Sequence, residues 1–135
     1  YYTDSDENSK NAFKKFLKSE FLLKQRKITE ASQLLDYIIK NNPGLELTPL
    51  ISLRRAILLM RLKNFEETLN QLQSIENTIF ADRGIIMSGQ IHEQIYNDTP
   101  KAMEYYMRIL NEYSESIFSE PIRYHIRKLK NVEKI

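Results

Sequence analysis

A chain of 135 residues with no cysteine has room for one domain with a sizeable core, and it excludes a disulfide framework, a thiolate nucleophile and a cysteine-bound metal. Its 20 Lys and Arg against 18 Asp and Glu leave a formal net charge of +2, too balanced for nucleic acid or an anionic membrane to be recognised by bulk charge. Only 3 Gly and 4 Pro are present, which argues against a chain rich in tight hairpin turns and predicts an all-α chain.

Residues 1–9 carry Asp4, Asp6 and Glu7 and read as a flexible lead-in whose acidic groups favour the start of a helix. The chain opens on Tyr1, not Met, which fits a processed product or a fragment, and no charged-then-apolar signal segment begins it. A first helix is expected to about Arg26, with Phe13, Phe16, Leu17, Phe21 and Leu22 on its apolar face and Lys10, Lys14 and Lys18 on a solvated one. After a short polar turn, a second helix runs to Ile39 with Thr29 as its N-cap, and Asn41-Asn42-Pro43-Gly44 stops it.

Thr48-Pro49 predicts the next start, with Thr48 capping free amides and Pro49 fitting the first turn, where its missing N–H costs nothing. That helix reaches about Leu62 and breaks at Lys63-Asn64, Asn64 suiting a left-handed position. Another follows from Phe65 to about Asn77. A third pair runs from near Phe80 to Tyr96 and from Pro100 to about Tyr113. A last helix begins near Ile117, capped by Ser116 or Ser119, with Ile122, Ile126 and Leu129 on one side. No stretch approaches the roughly 18 consecutive apolar residues of a transmembrane segment.

Small residues recur in this pattern: Ser19 and Ala31, Ala56 and Thr68, Gly89 and Ala102, spaced 12, 12 and 13 apart. From pair to pair the chain advances 37 and then 33 or 34 residues, a period expected of stacked helix-turn-helix units. Antiparallel helices approach to about 8–10 Å only where small side chains meet, so these six residues are expected at the helix crossings. A mid-helix glycine costs about 1 kcal/mol relative to alanine, so Gly89 calls for a packing reason.

These residues resemble the tetratricopeptide repeat, in which a small residue lies midway along the first helix, an alanine opens the second, a large residue follows by four and a proline often closes the unit. Ser19, Ala31, Leu35 and Pro43 keep that pattern in the first unit, Ala56 and Leu72 in the second with Thr68 for alanine, and Gly89, Ala102 and Tyr106 in the third. The aromatic that usually leads the first helix is missing. The resemblance implies a right-handed α-α superhelix of three helix pairs, over about residues 10–43, 46–79 and 80–116, with a capping helix and tail over 117–135. The third unit and cap, through Ala81-Asp82, Gly89-Gln90-Ile91, Lys101 to Tyr106, Ser116-Ile117 and Arg127-Lys128-Leu129, are similar to the carboxy-terminal end of larger tetratricopeptide proteins of Bacteroidota. That likeness implies a piece of a longer chain in a bacterial cell envelope or periplasm.

Catalysis finds little support in the residues. His92 and His125 are the only histidines, neither has a second metal-ligating histidine or a cysteine near it in sequence, and no phosphate-cradling glycine loop exists. Glu93 points away from its neighbour His92 on a helix, and Glu93 and Asp98 form an acid-base set only through an accident of folding. The chain therefore reads as a non-enzyme without cofactor or metal.

The inner face of such an array comes from the first helix of each pair. It predicts a partner groove of Phe13, Phe16, Glu20 and Leu23, then Leu50, Leu53, Ile57 and Met60, then Arg83, Ile86, Gln90 and Glu93. Two apolar thirds and one polar third suit an amphipathic helix or an extended peptide with a charged end; equally, these side chains serve as packing against neighbouring helices. The Lys, Arg and Asn set with which some family members grip a peptide terminus is not reproduced, which argues against a chaperone tail as ligand. A rival surface is the stripe Arg123, Arg127, Lys130 and Lys134, which suits phosphates or an anionic surface but also the solvated side of an apolar helix. The expected function is a protein-protein interaction scaffold, with a purely structural end-block of a longer solenoid as the alternative.

Overall fold

The computed structural model describes residues 4–133, with side chains over 7–131, and every regular element within them is an α-helix. The protein is all-α. The chain divides into two compact units, Tyr1–Ile75 and Glu76–Ile135.

The first unit holds α1 (Asp4–Lys24), α2 (Ile28–Asn41), α3 (Thr48–Arg61) and α4 (Phe65–Gln73). α1 packs on α2, α2 on α3 and α3 on α4. Helix α1 already runs through residues 4–9, which corrects the flexible lead-in expected there. Tyr1, Tyr2 and Thr3 lie outside the described residues. Ala12, Ala31, Leu35, Ile38, Ile51 and Leu58 form an apolar core, with Phe16, Leu22 and Leu23 packed against it.

The second unit holds α5 (Ala81–Gln94), α6 (Thr99–Glu112) and α7 (Ser119–Glu133), α6 packing on both of the others. Its core is Ile85, Ile86, Ala102, Tyr106, Ile109, Ile122 and Ile126. The expected apolar side of the last helix is thus the side it buries, with Leu129 packed at its edge.

The turns that join α1 to α2 and α3 to α4 share one geometry, and the turn from α5 to α6 is a variant of it one residue longer. Each turn has a non-glycine residue in the left-handed region, Arg26 (φ 61°), Lys63 (φ 61°) and Asn97 (φ 53°). Lys27 N–H reaches Leu22 O at 2.9 Å and Asn64 N–H reaches Leu59 O at 2.9 Å, the six-to-one bond that closes a helix with a left-handed residue. In the third pair the left-handed residue comes one position later after the small residue, and Asp98 N–H reaches back to His92 O at 2.8 Å. That extra residue accounts for a spacing of 13 where the other pairs have 12. The second small residue of each pair then donates its N–H to the carbonyl of the residue before the helix: Ala31 to Lys27, Thr68 to Asn64 and Ala102 to Asp98, each at 3.0 Å.

Several expected caps are corrected. Lys27, not Thr29, precedes α2, and it offers no side-chain cap. Thr48 is the first residue of α3; its hydroxyl donates to Asn42 O at 3.3 Å instead of capping forward. Lys63 takes the left-handed position expected of Asn64, whose side chain accepts from Glu67 N–H and caps α4. Helix α4 stops at Gln73, short of Asn77, where the Ser74 hydroxyl bonds Gln71 O and competes with the helical pattern. Asp98 caps α6 through Lys101 N–H at 3.1 Å. Ser119 begins α7, and Ser116 accepts from Phe118 N–H at 3.1 Å.

Candidate functional site

All six small residues at the expected crossings are buried, five of them with 0% exposure and Gly89 among the buried residues of α5. At Gly89 helix α6 approaches closely. A Cβ built there would lie 2.6 Å from Tyr106 Cε1 and 3.2 Å from Tyr105 Cβ, so the tyrosine ring of α6 occupies the space a methyl would need. Glycine is therefore placed mid-helix by the ring opposite it, against its own helix propensity.

That ring also positions a polar cluster which the sequence order conceals. Tyr106 Oη donates to Glu93 Oε1 at 2.7 Å, and His125 Nε2 lies 2.8 Å from the same oxygen. Since a carboxylate only accepts, the geometry assigns a proton to His125 Nε2. The His125 ring meets Tyr106 edge-on, with centroids 5.4 Å apart. One carboxylate oxygen thus joins α5, α6 and α7. Burial and then the Glu93 carboxylate raise the Tyr106 pKa above its ordinary value, so the phenol stays protonated. Tyr106 is 1% exposed, and a cleft of about 210 Å³ lined by Gln90, Gln94, Pro121, Ile122 and His125 lies against it. This volume is below the usual range for small-molecule pockets, about 300–1,000 Å³.

His92 turns away from this set, as its place beside Glu93 on one helix predicts. It stacks on Tyr105 with ring centroids 5.3 Å apart and tilts against Tyr96 at 5.4 Å. Among the described residues no group of three or more His, Asp or Glu is placed to hold a metal ion.

In the first unit the polar centre is Arg55 of α3. Its guanidinium donates to Gln71 Oε1 of α4 at 2.7 Å and stands 3.8 Å from Asp36 of α2 and 4.0 Å from Glu67. Glu20 of α1, an expected groove residue, is taken up by Arg54 of α3 in an ion pair.

The other expected groove residues differ in placement. In the first unit Phe13 is exposed and Phe16, Leu23, Leu50, Ile57 and Met60 are half-buried, whereas Leu53 is buried and presents nothing to a partner. In the second unit Arg83 and Gln90 are exposed, Glu93 is held by Tyr106 and His125, and Ile86 belongs to the core. Leu53 and Ile86 are thus corrected from groove to interior. In an apolar helix, residues one turn apart can fall on either side of the boundary between core and surface, and only packing places that boundary.

On α7, Arg123, Arg127 and Lys130 are exposed, and Arg123 is paired with Glu120 one turn earlier; Lys134 lies outside the described residues. Exposed Tyr124 stands along a neighbouring line with the Lys128 ammonium 4.7 Å from its ring, so no aromatic interrupts the stripe itself. No described helix is long and apolar enough to cross a membrane. Compared with known protein families, with curated proteins and with solved structures, the chain matches none.

Proposed function

We propose that this chain is a non-catalytic protein-protein interaction module of tetratricopeptide type, built from three helix pairs and a closing helix. The observation that carries the reading is the left-handed turn residue that closes the first helix in α1/α2, α3/α4 and α5/α6, with the small residues of each pair buried. The half-buried apolar side chains Leu50, Ile57 and Met60 of α3 supply a surface of the kind that takes an amphipathic helix or extended peptide. A non-catalytic role is supported by the Glu93 cluster, whose phenol is buried and holds its proton, so that the carboxylate fastens helices and activates no nucleophile. The resemblance read from the residues of the third unit and cap implies a cell-envelope setting.

The test pairs Leu50→Asp with Ile57→Asp in the full-length protein and compares affinity capture from its own cells, with partners identified by mass spectrometry. The expected outcome is an unchanged melting curve and loss of a partner that the wild type captures reproducibly. A second reading, a purely structural end-block, is favoured by the burial of Leu53 and Ile86 and predicts unfolding of the same variant. An intact fold that retains all partners would refute the groove. Binding through the basic stripe of α7 predicts affinity for nucleic acid or anionic surfaces that falls steeply with salt, and Arg127→Glu with Lys130→Glu removes it.

A further inference from the structure

Helix α1 buries Ala12 and Ser19 and leaves a row of large apolar side chains in solvent. Phe13 is 48% exposed, Leu17 45% and Phe21 64%. Spaced by four, they form one ridge along the helix, about 12 Å long at 1.5 Å rise per residue. Isolated exposed apolar residues are ordinary, but three large ones in register on one helix face are a candidate contact surface.

The charges along the ridge are mostly positive. From Phe13 to Lys24 the sequence carries four lysines and one glutamate, and that glutamate, Glu20, is engaged by Arg54. Lys14 and Lys18 follow one flank of the row, and Lys24 closes its end with its ammonium 5.8 Å from the Phe21 ring. A ridge one side chain wide has the dimensions of the groove between side-chain rows on a second helix, whereas a bilayer interface is entered by a broad apolar face.

We propose that the exposed Phe13-Leu17-Phe21 ridge of α1 is a second docking surface, for an amphipathic helix of a partner protein whose apolar groove is bordered by carboxylates. The ridge supplies the contact area, and the lysines select the charge and orientation of the incoming helix. Phe13 is shared with the expected groove, but Leu17 and Phe21 lie outside it, so variants at those two positions test the ridge without the groove residues of α3.

The experiment measures binding of two synthetic helices to the full chain by fluorescence anisotropy, at about 50 mM salt, where surface charges are weakly screened. Both helices carry the same leucine row, one bordered by Glu and the other by Lys. The Glu-bordered helix is expected to bind about tenfold or more tightly than its Lys counterpart, a preference that declines with salt. Leu17→Ser with Phe21→Ser should abolish binding and leave the melting curve in place, because both side chains are exposed. As a variant that leaves the apolar row intact, Lys14→Glu with Lys18→Glu should reverse the preference. Equal binding of the two helices, binding of neither, or binding untouched by the serine variant would overturn the proposal. So would flotation with vesicles of about 30 mol% anionic lipid, which makes a membrane the occupant, or a dimer that the serine variant dissolves, which makes it a second copy.

Discussion

The two units use the same helix-pair geometry and secure it by different means. In the first, Ala31, Leu35 and Ile38 of α2 pack in an aliphatic core with Ile51 and Leu58 of α3, while the polar centre at Arg55 is spread over Gln71, Asp36 and Glu67. In the second, the position matching Leu35 and Leu72 is Tyr106, whose ring takes the place of a methyl at Gly89 and whose hydroxyl shares one Glu93 oxygen with His125. An aliphatic crossing tolerates a small residue of either kind; an aromatic crossing demands glycine and adds a directional bond. The second unit should therefore be more sensitive to single-atom changes, and the first to loss of volume.

The largest effect that would sharpen this contrast is Leu35→Ala. The buried leucine leaves a cavity whose cost is about 2–5 kcal/mol, read from chemical denaturation. Next is Gly89→Ala, where the helix-propensity gain of about 1 kcal/mol is outweighed by the clash with Tyr106, for a net loss of about 1–3 kcal/mol; Gly89→Leu costs more. Combined with Tyr106→Leu, Gly89→Ala should become nearly neutral relative to Tyr106→Leu alone. Additive costs in that double-mutant cycle would show that the ring is not what requires glycine.

The polar fastening is tested by Glu93→Ala, which leaves the buried Tyr106 hydroxyl without its acceptor at a cost of about 1–3 kcal/mol. Glu93→Gln keeps an acceptor oxygen and should cost less. The same bond predicts a pH dependence. Because the folded-state pKa of Tyr106 is raised, its contribution is fully present below the unfolded value of about 10 and is lost as pH rises towards the folded value. Stability should fall above about pH 10, and Tyr106→Phe should flatten that limb of a pH series of melting curves. The smallest expected effects are at the caps. Asn64→Ala and Asp98→Ala each remove a side-chain acceptor for about 1 kcal/mol, whereas Lys27→Asn supplies the cap that α2 lacks and should stabilise by less than about 1 kcal/mol.

The sequence made the helix pairs legible because close approach of two helices is a local steric demand. It appears as small residues at fixed spacing, at Ser19, Ala56 and Gly89 and again at Ala31, Thr68 and Ala102. The turn residues were less legible: Arg26 and Lys63 adopt left-handed conformations that composition associates with glycine or asparagine, so no sequence signal marked them. The boundary between groove and core at Leu53 and Ile86 was also hidden, since both are apolar residues on helix faces where core and surface adjoin.

What the sequence determined by itself is the all-α class, the pairing of neighbouring helices and the special status of Gly89, since each follows from periodicity and side-chain size within a few dozen residues. Only the tertiary structure decided that Glu93 serves Tyr106 and His125, residues 13 and 32 positions away, and that Phe13, Leu17 and Phe21 of an amphipathic helix stay in solvent. Hydrogen bonds between helices and the exposure of a helix face depend on how the elements are set against one another, and that arrangement is not a property of any single segment.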